Sequence, residues 1–370
     1  MVKQVTPLKT VEEGQTPWNT NRQPVGCPHC QRAFLVQESQ VNSPCPLCRQ
    51  GHLEPQPIRL SPGAPEKLLP FKITPHHLPA IYTTFTSGVW IRPDDFTPQN
   101  LLQRCQAVFW PLWLVDSDVK GQWQMEAGFD YQVESSKEYY QNGGWQSRKI
   151  REDRIRWEPR RGTIDYHIDN VPAPALEEHK NRWQMTGAYN LDAADAFQPV
   201  KLNNALIEVP DLPPVNAWPL AKPQINKTLG EVCAKASDAQ HVQNFALKAT
   251  YENLNWTQFL LPMYATYYLD DEGQPQILIV NGETGKIEGP RLASQKRGLR
   301  IAAVVAGAAV LLLLLAIIAF LLTAIFPPAS IIGAFLGILG LGTGIGAIIP
   351  AIWPWQWNRK EQSQKIVERD

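Results

Sequence analysis

The chain has 370 residues, room for two or three domains, with 35 Lys+Arg against 35 Asp+Glu and a formal net charge of zero. That balance supplies no global field to attract DNA or RNA. The 32 prolines and 13 tryptophans favour short strands and extended connections over long soluble helices.

Residues 1–22 are polar, lack the apolar run of a secretory leader, and read as a disordered tail. Residues 23–54 contain Cys27-x-x-Cys30 and Cys45-x-x-Cys48, with 14 residues between the two pairs. Four thiolates in two knuckles complete a tetrahedral Zn²⁺ shell and leave no open position. Cys27, Cys30, Cys45 and Cys48 are therefore predicted to hold a structural zinc. Pro28 and Pro46 stiffen the knuckles, and the segment between them is long enough for a short hairpin, the plan of a zinc ribbon. So small a module buries too little apolar area to fold alone, so the metal supplies its folding energy. His29 and His52 lie near a shell already full and read as solvated. Arg32, Glu38, Arg49 and Glu54 are the only charged residues from 23 to 54. A phosphate-binding surface needs several basic side chains, which argues against nucleic acid as a partner of the ribbon. Cys105 and Cys233 are isolated, no disulfide framework is expected, and the cysteine-rich end belongs in a reducing cytosol.

Residues 55–67 are proline-rich and read as a semi-rigid linker, so the ribbon is expected to be separable from the next domain. Residues 68–292 read as a β-rich α+β cytosolic domain. Three related phrases recur in it: Leu68–Phe71, Phe109–Trp113 and Leu260–Tyr264. The last two lead through FWPLWLVDSDVKG and LLPMYATYYLDDEG into expected turns, so the domain reads as an imperfect internal duplication of hairpins, each with an aromatic face. Proline is tolerated where a strand opens, and Asp116, Asp118, Asp270 and Asp271 are expected to cap turn backbone. Strands over 123–134 and 145–158 flank a turn at Asn142-Gly143-Gly144. Residues 163–174 and 241–256 are extended, and 276–289 form a hairpin about Asn281-Gly282. Helices are predicted around His77–Thr86, Leu176–Met185 and Ile225–Ser237.

Several apparent sites in this region have plainer readings. GETGK, residues 282–286, imitates the end of a phosphate loop, but Val280 stands where glycine is required, so it reads as a hairpin turn. His76-His77 has no HExxH context. Residues 146–161 carry seven Arg/Lys against three Asp/Glu and read as a solvated strand face, with contact to anionic headgroups as the lesser reading. No nucleophile–base set, phosphate loop or dinucleotide fingerprint is present, so no enzymatic activity is expected.

Residues 293–358 read as a two-helix transmembrane hairpin. Residues 301–326 are uncharged and longer than the roughly 30 Å of hydrocarbon requires. Pro327-Pro328-Ala329-Ser330 then breaks the helix, and 331–353 form a second span. Lys296, Arg297 and Arg300 precede the spans, Arg359 and Lys360 come after them, and the loop has no charge. Both termini, including the tail 359–370, are therefore expected in the cytosol at the inner membrane. Trp353, Trp355 and Trp357 are expected to anchor the second span at the interface. Gly333/Gly337, Gly340/Gly344 and Gly342/Gly346 have GxxxG spacing. Gly342 and Gly346 are expected to face Leu311–Leu315 and close the hairpin on itself, with Gly344 turned away; a homo-oligomer seam is the alternative.

The order of parts (four-cysteine ribbon, FWPLWLVDSDVKG, LLPMYATYY, VNGETGKIEG, membrane anchor) resembles a bacterial family of TFIIB-type zinc-ribbon membrane proteins, often labelled replication-restart-helicase-like because of the ribbon alone. The resemblance covers most of residues 25–292 and is most specific at the four cysteines and Val280–Lys286. It implies partners such as phage-shock (PspA-type) and SPFH/flotillin-like proteins, and a role in anchoring them at stressed membranes. The helicase label implies nothing, because no ATPase motif is present. The expected function is a non-enzymatic membrane anchor or scaffold that recruits partner proteins. A membrane-tethered nucleic-acid-binding regulator is the alternative.

Overall fold

Pro111 and Pro262, each inside one of the recurring phrases, lie close together at the centre of one large sheet. The computed structural model that reveals this describes residues 8–61, 63–141 and 143–367. In chain order its elements are β1 (Lys9–Val11), β2 (Gln23–Gly26), β3 (Ala33–Val36), β4 (Glu54–Pro55), β5 (Ile58–Leu60), β6 (Lys67–Leu68), α1 (Leu78–Ser87) and α2 (Pro98–Gln103). Next come β7 (Gln106–Gln141), β8 (Gly144–Pro174), α3 (His179–Thr186), β9 (Asp195–Ala196), β10 (Leu206–Glu208), α4 (Pro214–Ala236) and β11 (His241–Leu269). The chain continues through β12 (Pro275–Asn281), β13 (Ile287–Glu288), α5 (Gln295–Leu322), α6 (Ala329–Gly346) and α7 (Ile348–Val367).

β7 is the spine. It pairs antiparallel with β11 from Gln106↔Ala265 to Gly128↔His241, and with β8 from Leu112↔Pro174 to Gln141↔Gly144. At about 3.3 Å per residue, its 36 residues run on the order of 120 Å. Pro111 falls where the neighbour of β7 changes, from β10 at Val108–Phe109 to β8 at Leu112. Pro262 falls at the matching change on β11, from β6 at Phe259–Leu260 to β12 at Met263. A residue without an N–H costs least at such a gap in the ladder. The phrases are therefore cross-strand neighbours, Pro111 opposite Leu260 and Phe109 opposite Pro262.

Two turn assignments from sequence are corrected here. Phe109–Gly121 does not turn but continues in β7, so only the second phrase leads into a turn, at Asp270–Gly273, where Asp270 accepts from Glu272 and Gln274 N–H. Asp116 and Asp118 instead hold bulges of the neighbouring strands. Asp116 accepts from Asn170 N (2.8 Å) and Asn255 Nδ2 (3.0 Å), and Asp118 from Asn253 Nδ2 (2.6 Å). Asn170 and Asn253 both have φ of +55°, and the carboxylates stabilise these left-handed bulges. Of the expected turn between β7 and β8, Asn142 lies outside the described residues, as do the ends of the two tails.

α4 crosses the long strands and buries Ala217, Ala221, Ile225, Leu229 and Cys233 against Val115, Val119, Met125, Ile164 and Ile168. It begins eleven residues before the predicted start, because Pro219 and Pro223 lie on its exposed side, where missing N–H groups are tolerated and water takes the freed carbonyls. α1 and α3 lie where helices were expected. His77 closes the turn before α1 by accepting from Thr74 N at 3.1 Å.

The segment read as a linker is structured. β4 pairs with β2, β5 with β1, and β6 with both β11 and β9. The expected separation of the ribbon from the β body is corrected by the sheet itself. β3 pairs with β10 and β10 with β7, in the continuous order β13-β12-β11-β7-β10-β3-β2-β4. Val25, Phe34, Val36, Cys27 and Cys45 share one core with Trp110, Leu112 and Met263. Burial of both ribbon strands against the body outweighs any flexibility of the prolines between them.

At the C-terminal end, Gln295–Leu322 and Ala329–Ser363 are long and apolar enough to cross a membrane, and 17% of either apolar window is buried. A core helix of a soluble domain is mostly buried, and these two are not. Gly333 meets Phe320, Gly337 meets Ala316, Gly340 meets Leu313 and Gly344 meets Ala309, while Gly342 and Gly346 meet nothing within 4 Å. The contact face is therefore the opposite of the one expected. Gly333, Gly337, Gly340 and Gly344 form one stripe at alternating four- and three-residue spacing, which outcompetes the shorter Gly342/Gly346 pair. Of the three expected anchors, Trp353 and Trp357 stack together, and Trp357 Nε1 donates to Arg291 O at 2.6 Å. Both pack on the β body, and Trp355 stays exposed.

Candidate metal centre

The two knuckles are built alike. Gln31 N donates to Cys27 O (2.8 Å) and Arg49 N to Cys45 O (3.1 Å), while Cys27 N and Cys45 N donate onward to Arg32 O and Gly51 O. Closing each loop forces the residue after its second cysteine into the left-handed region, φ +58° at Gln31 and +61° at Arg49. Gly51 lies against the thiol end of the first knuckle, where a Cβ would come within 2.6 Å of Cys27 Sγ. Only glycine fits that approach.

The four Sγ atoms all lie within 4.8 Å of one another. Cys27 and Cys48 are 3.6 Å apart, and Cys30 and Cys45 3.7 Å. A tetrahedron with Zn–S bonds of about 2.3 Å has edges of about 3.8 Å, so the arrangement fits a metal ion held by four thiolates. The Cys30–Cys45 contact holds the Cys30 pKa down to about 5 and pushes that of Cys45 up. His29 and His52 are exposed and stand outside the cluster.

Sequence alone did not reveal how this centre is fixed to the body. Arg32, just after the first knuckle, bonds Glu208 at 2.7 Å, and Arg182 on α3 reaches the same carboxylate oxygen at 3.2 Å. Glu208 and Arg182 are buried, so removing either partner would strand a charge. On the second knuckle, the Arg49 guanidinium lies 4.2 Å above the Tyr267 ring of β11 and donates to its hydroxyl at 3.2 Å. Only β10 pairing next to β3 brings Glu208 to Arg32, and no motif in the sequence marks that long-range contact.

The other motifs have structural roles. Asn281 Oδ1 accepts from Glu283 N and Thr284 N, closing the turn of GETGK. Glu283 is buried against Lys72 at 2.7 Å and accepts from Asn190 N at 2.8 Å. None of the six cysteines forms a disulfide, and Cys105 accepts from Tyr82 at 3.2 Å. No family model, curated protein or solved structure matches this chain.

Proposed function

We propose that the protein is a non-enzymatic scaffold fixed in the cytoplasmic membrane by the α5–α6 transmembrane hairpin, with a structural zinc in its β body. The observation that carries this reading is the pair of long apolar helices. Their outward residues, among them Leu311, Leu314, Ile317, Leu321, Ile331 and Phe335, are exposed along both. A helix apolar all round and left bare by the protein needs lipid.

The basic flanks favour both termini and the β body on the cytosolic side, where cysteines stay reduced. Four thiolates leave the metal no open position for a substrate or water, which favours a structural metal over a catalytic one. Zinc is the ion that four thiolates at tetrahedral spacing favour. The order of parts supports partners of the SPFH/flotillin-like or PspA-type class, and the imperfect duplication remains a reading of the recurring proline phrases. A nucleic-acid-binding role has less support, because the ribbon keeps the few, balanced charges read from its sequence. Alkaline carbonate extraction of cell membranes, with metal analysis of the detergent-purified chain, tests the reading. The expected result is a carbonate-resistant chain with one equivalent of zinc. A chain released by carbonate contradicts the anchor, and a chain purified without zinc contradicts the structural metal.

A further inference from the structure

From Phe129 onward the spine loses its third strand, because β11 begins at His241 opposite Gly128. Beyond that point β7 and β8 continue as a two-stranded arm to Gln141 and Gly144, about 40 Å long at 3.3 Å per residue. A hairpin this long, wet on both faces, is marginal alone and needs further strands to be stable. Tyr131, Tyr140, Trp145 and Ile155 are exposed along it. Among the described residues no strand pairs with the outer edge of β8, and none but β8 pairs with β7 beyond Gly128.

The two free edges are opposite in charge. Residues 129–141 of β7 carry Asp130, Glu134 and Glu138 with one cation, Lys137; residues 144–156 of β8 carry Arg148, Lys149, Arg151, Arg154 and Arg156 against Glu152 and Asp153. Arg148, Arg151 and Glu138 have no ion pair among the described residues. Pairing β7 with β7 of another copy sets acid against acid, and pairing β8 with β8 sets base against base, both unfavourable across a ladder. Pairing the β7 edge of one copy with the β8 edge of the next matches the charges. A rotation about an axis along the arm also makes those two strands antiparallel, as they are within the hairpin.

We infer that the arm is a self-association element: the acidic β7 edge of one copy adds to the basic β8 edge of a second copy, extending the sheet from molecule to molecule. The contact is heterologous, so it generates a ring or an open row rather than an isolated two-fold dimer. This rests on the membrane reading in one respect, that anchoring in a shared membrane raises the effective concentration of copies.

Charge exchange tests it. The full-length chain in detergent is analysed by sedimentation, and the same variants are extracted with carbonate from membranes. Wild type is expected to be oligomeric and to dissociate as salt is raised. Glu134→Lys/Glu138→Lys and Arg148→Glu/Arg151→Glu should each weaken association at least about tenfold, and a combination of the two variant chains in one sample should restore it, because Glu134 faces Arg151 within its own hairpin and only rescue between copies reports the contact proposed. Unchanged metal content in each variant shows that the body still folds, since these side chains are solvated. A monomeric wild type, association indifferent to either reversal, or no restoration by the combination overturns the proposal. Release by carbonate overturns the membrane reading separately, and the sedimentation result still decides whether the arms pair.

Discussion

Gly51 tests how tightly the metal centre is built. Because a Cβ there would sit 2.6 Å from Cys27 Sγ, Gly51→Ala is expected to displace the thiolate and reduce metal retention against a chelator, without removing a ligand. Wild-type chelation kinetics in that variant would contradict the close approach. The left-handed Gln31 predicts the reverse effect. Gln31→Gly relieves a strained φ and should leave the site intact with stability changed by less than about 1 kcal/mol, whereas Arg49→Gly should also lose the contact with Tyr267 and destabilise the chain. A second residue-scale prediction concerns Asp95, which bonds Arg104 Nη2 at 2.9 Å and accepts from Leu269 N at 2.6 Å. Burial would raise its pKa, but these partners together hold it below the ordinary carboxylate value. A depressed folded pKa gives stability that is present above the unfolded value and lost as pH falls through the folded one. Asp95→Asn should therefore lower stability at pH 7 by about 1–3 kcal/mol, and its gap from wild type should close below about pH 4. Melting both proteins across that range checks this, and a gap independent of pH contradicts it.

Among the elements, the helix pair gives the sharpest contrast. Gly340 lies 2.9 Å, measured from its would-be Cβ, from Leu313, whereas Gly342 faces open space. Gly340→Leu should separate α5 from α6 at a cost of about 1–3 kcal/mol, and Gly342→Leu should be silent. Cross-linking of cysteines introduced at Ala316 and Gly337, which touch across the pair, reads the separation; equal behaviour of the two leucine variants contradicts the register. The GxxxG spacing was legible in the sequence, but it names a stripe only up to a choice of face, and the face is set by which glycines continue the stripe towards Gly333. The cysteine cluster was legible because its chemistry is local, two knuckles each closed within five residues. The apolar helices were legible because composition alone determines them. The long strands were not: a bulge held by Asp116 or Asp118 shows the same residues as a turn, and only the neighbouring Asn170 and Asn253 distinguish the two. The fusion of ribbon and body was hidden for a related reason, since prolines at 55–65 suit a linker and short edge strands equally well.

For the whole molecule, that fusion changes what a metal held by the four cysteines would do. Cys27 and Cys45 lie in one core with Trp110 and Met263, and Arg32, Arg182 and Glu208 tie the ribbon to α3 and β10. Cys27→Ser is therefore expected to lower the melting temperature of the β body as well as the metal content, by well over about 5 °C for a loss of several kcal/mol. A body that melts unchanged after metal loss contradicts an integral ribbon. Above all, α5 and α6 are proposed to hold a scaffold, and the proteins it binds, at the membrane. The most direct measurement compares cells carrying the full chain with cells carrying a chain ended after Leu292, cross-linking in vivo and quantifying the proteins of the membrane fraction. The shortened chain is expected to leave the membrane, and the proteins cross-linked to the β body to leave with it. A shortened chain that stays membrane-bound, or cross-linked proteins whose membrane association does not change, would contradict the anchoring role.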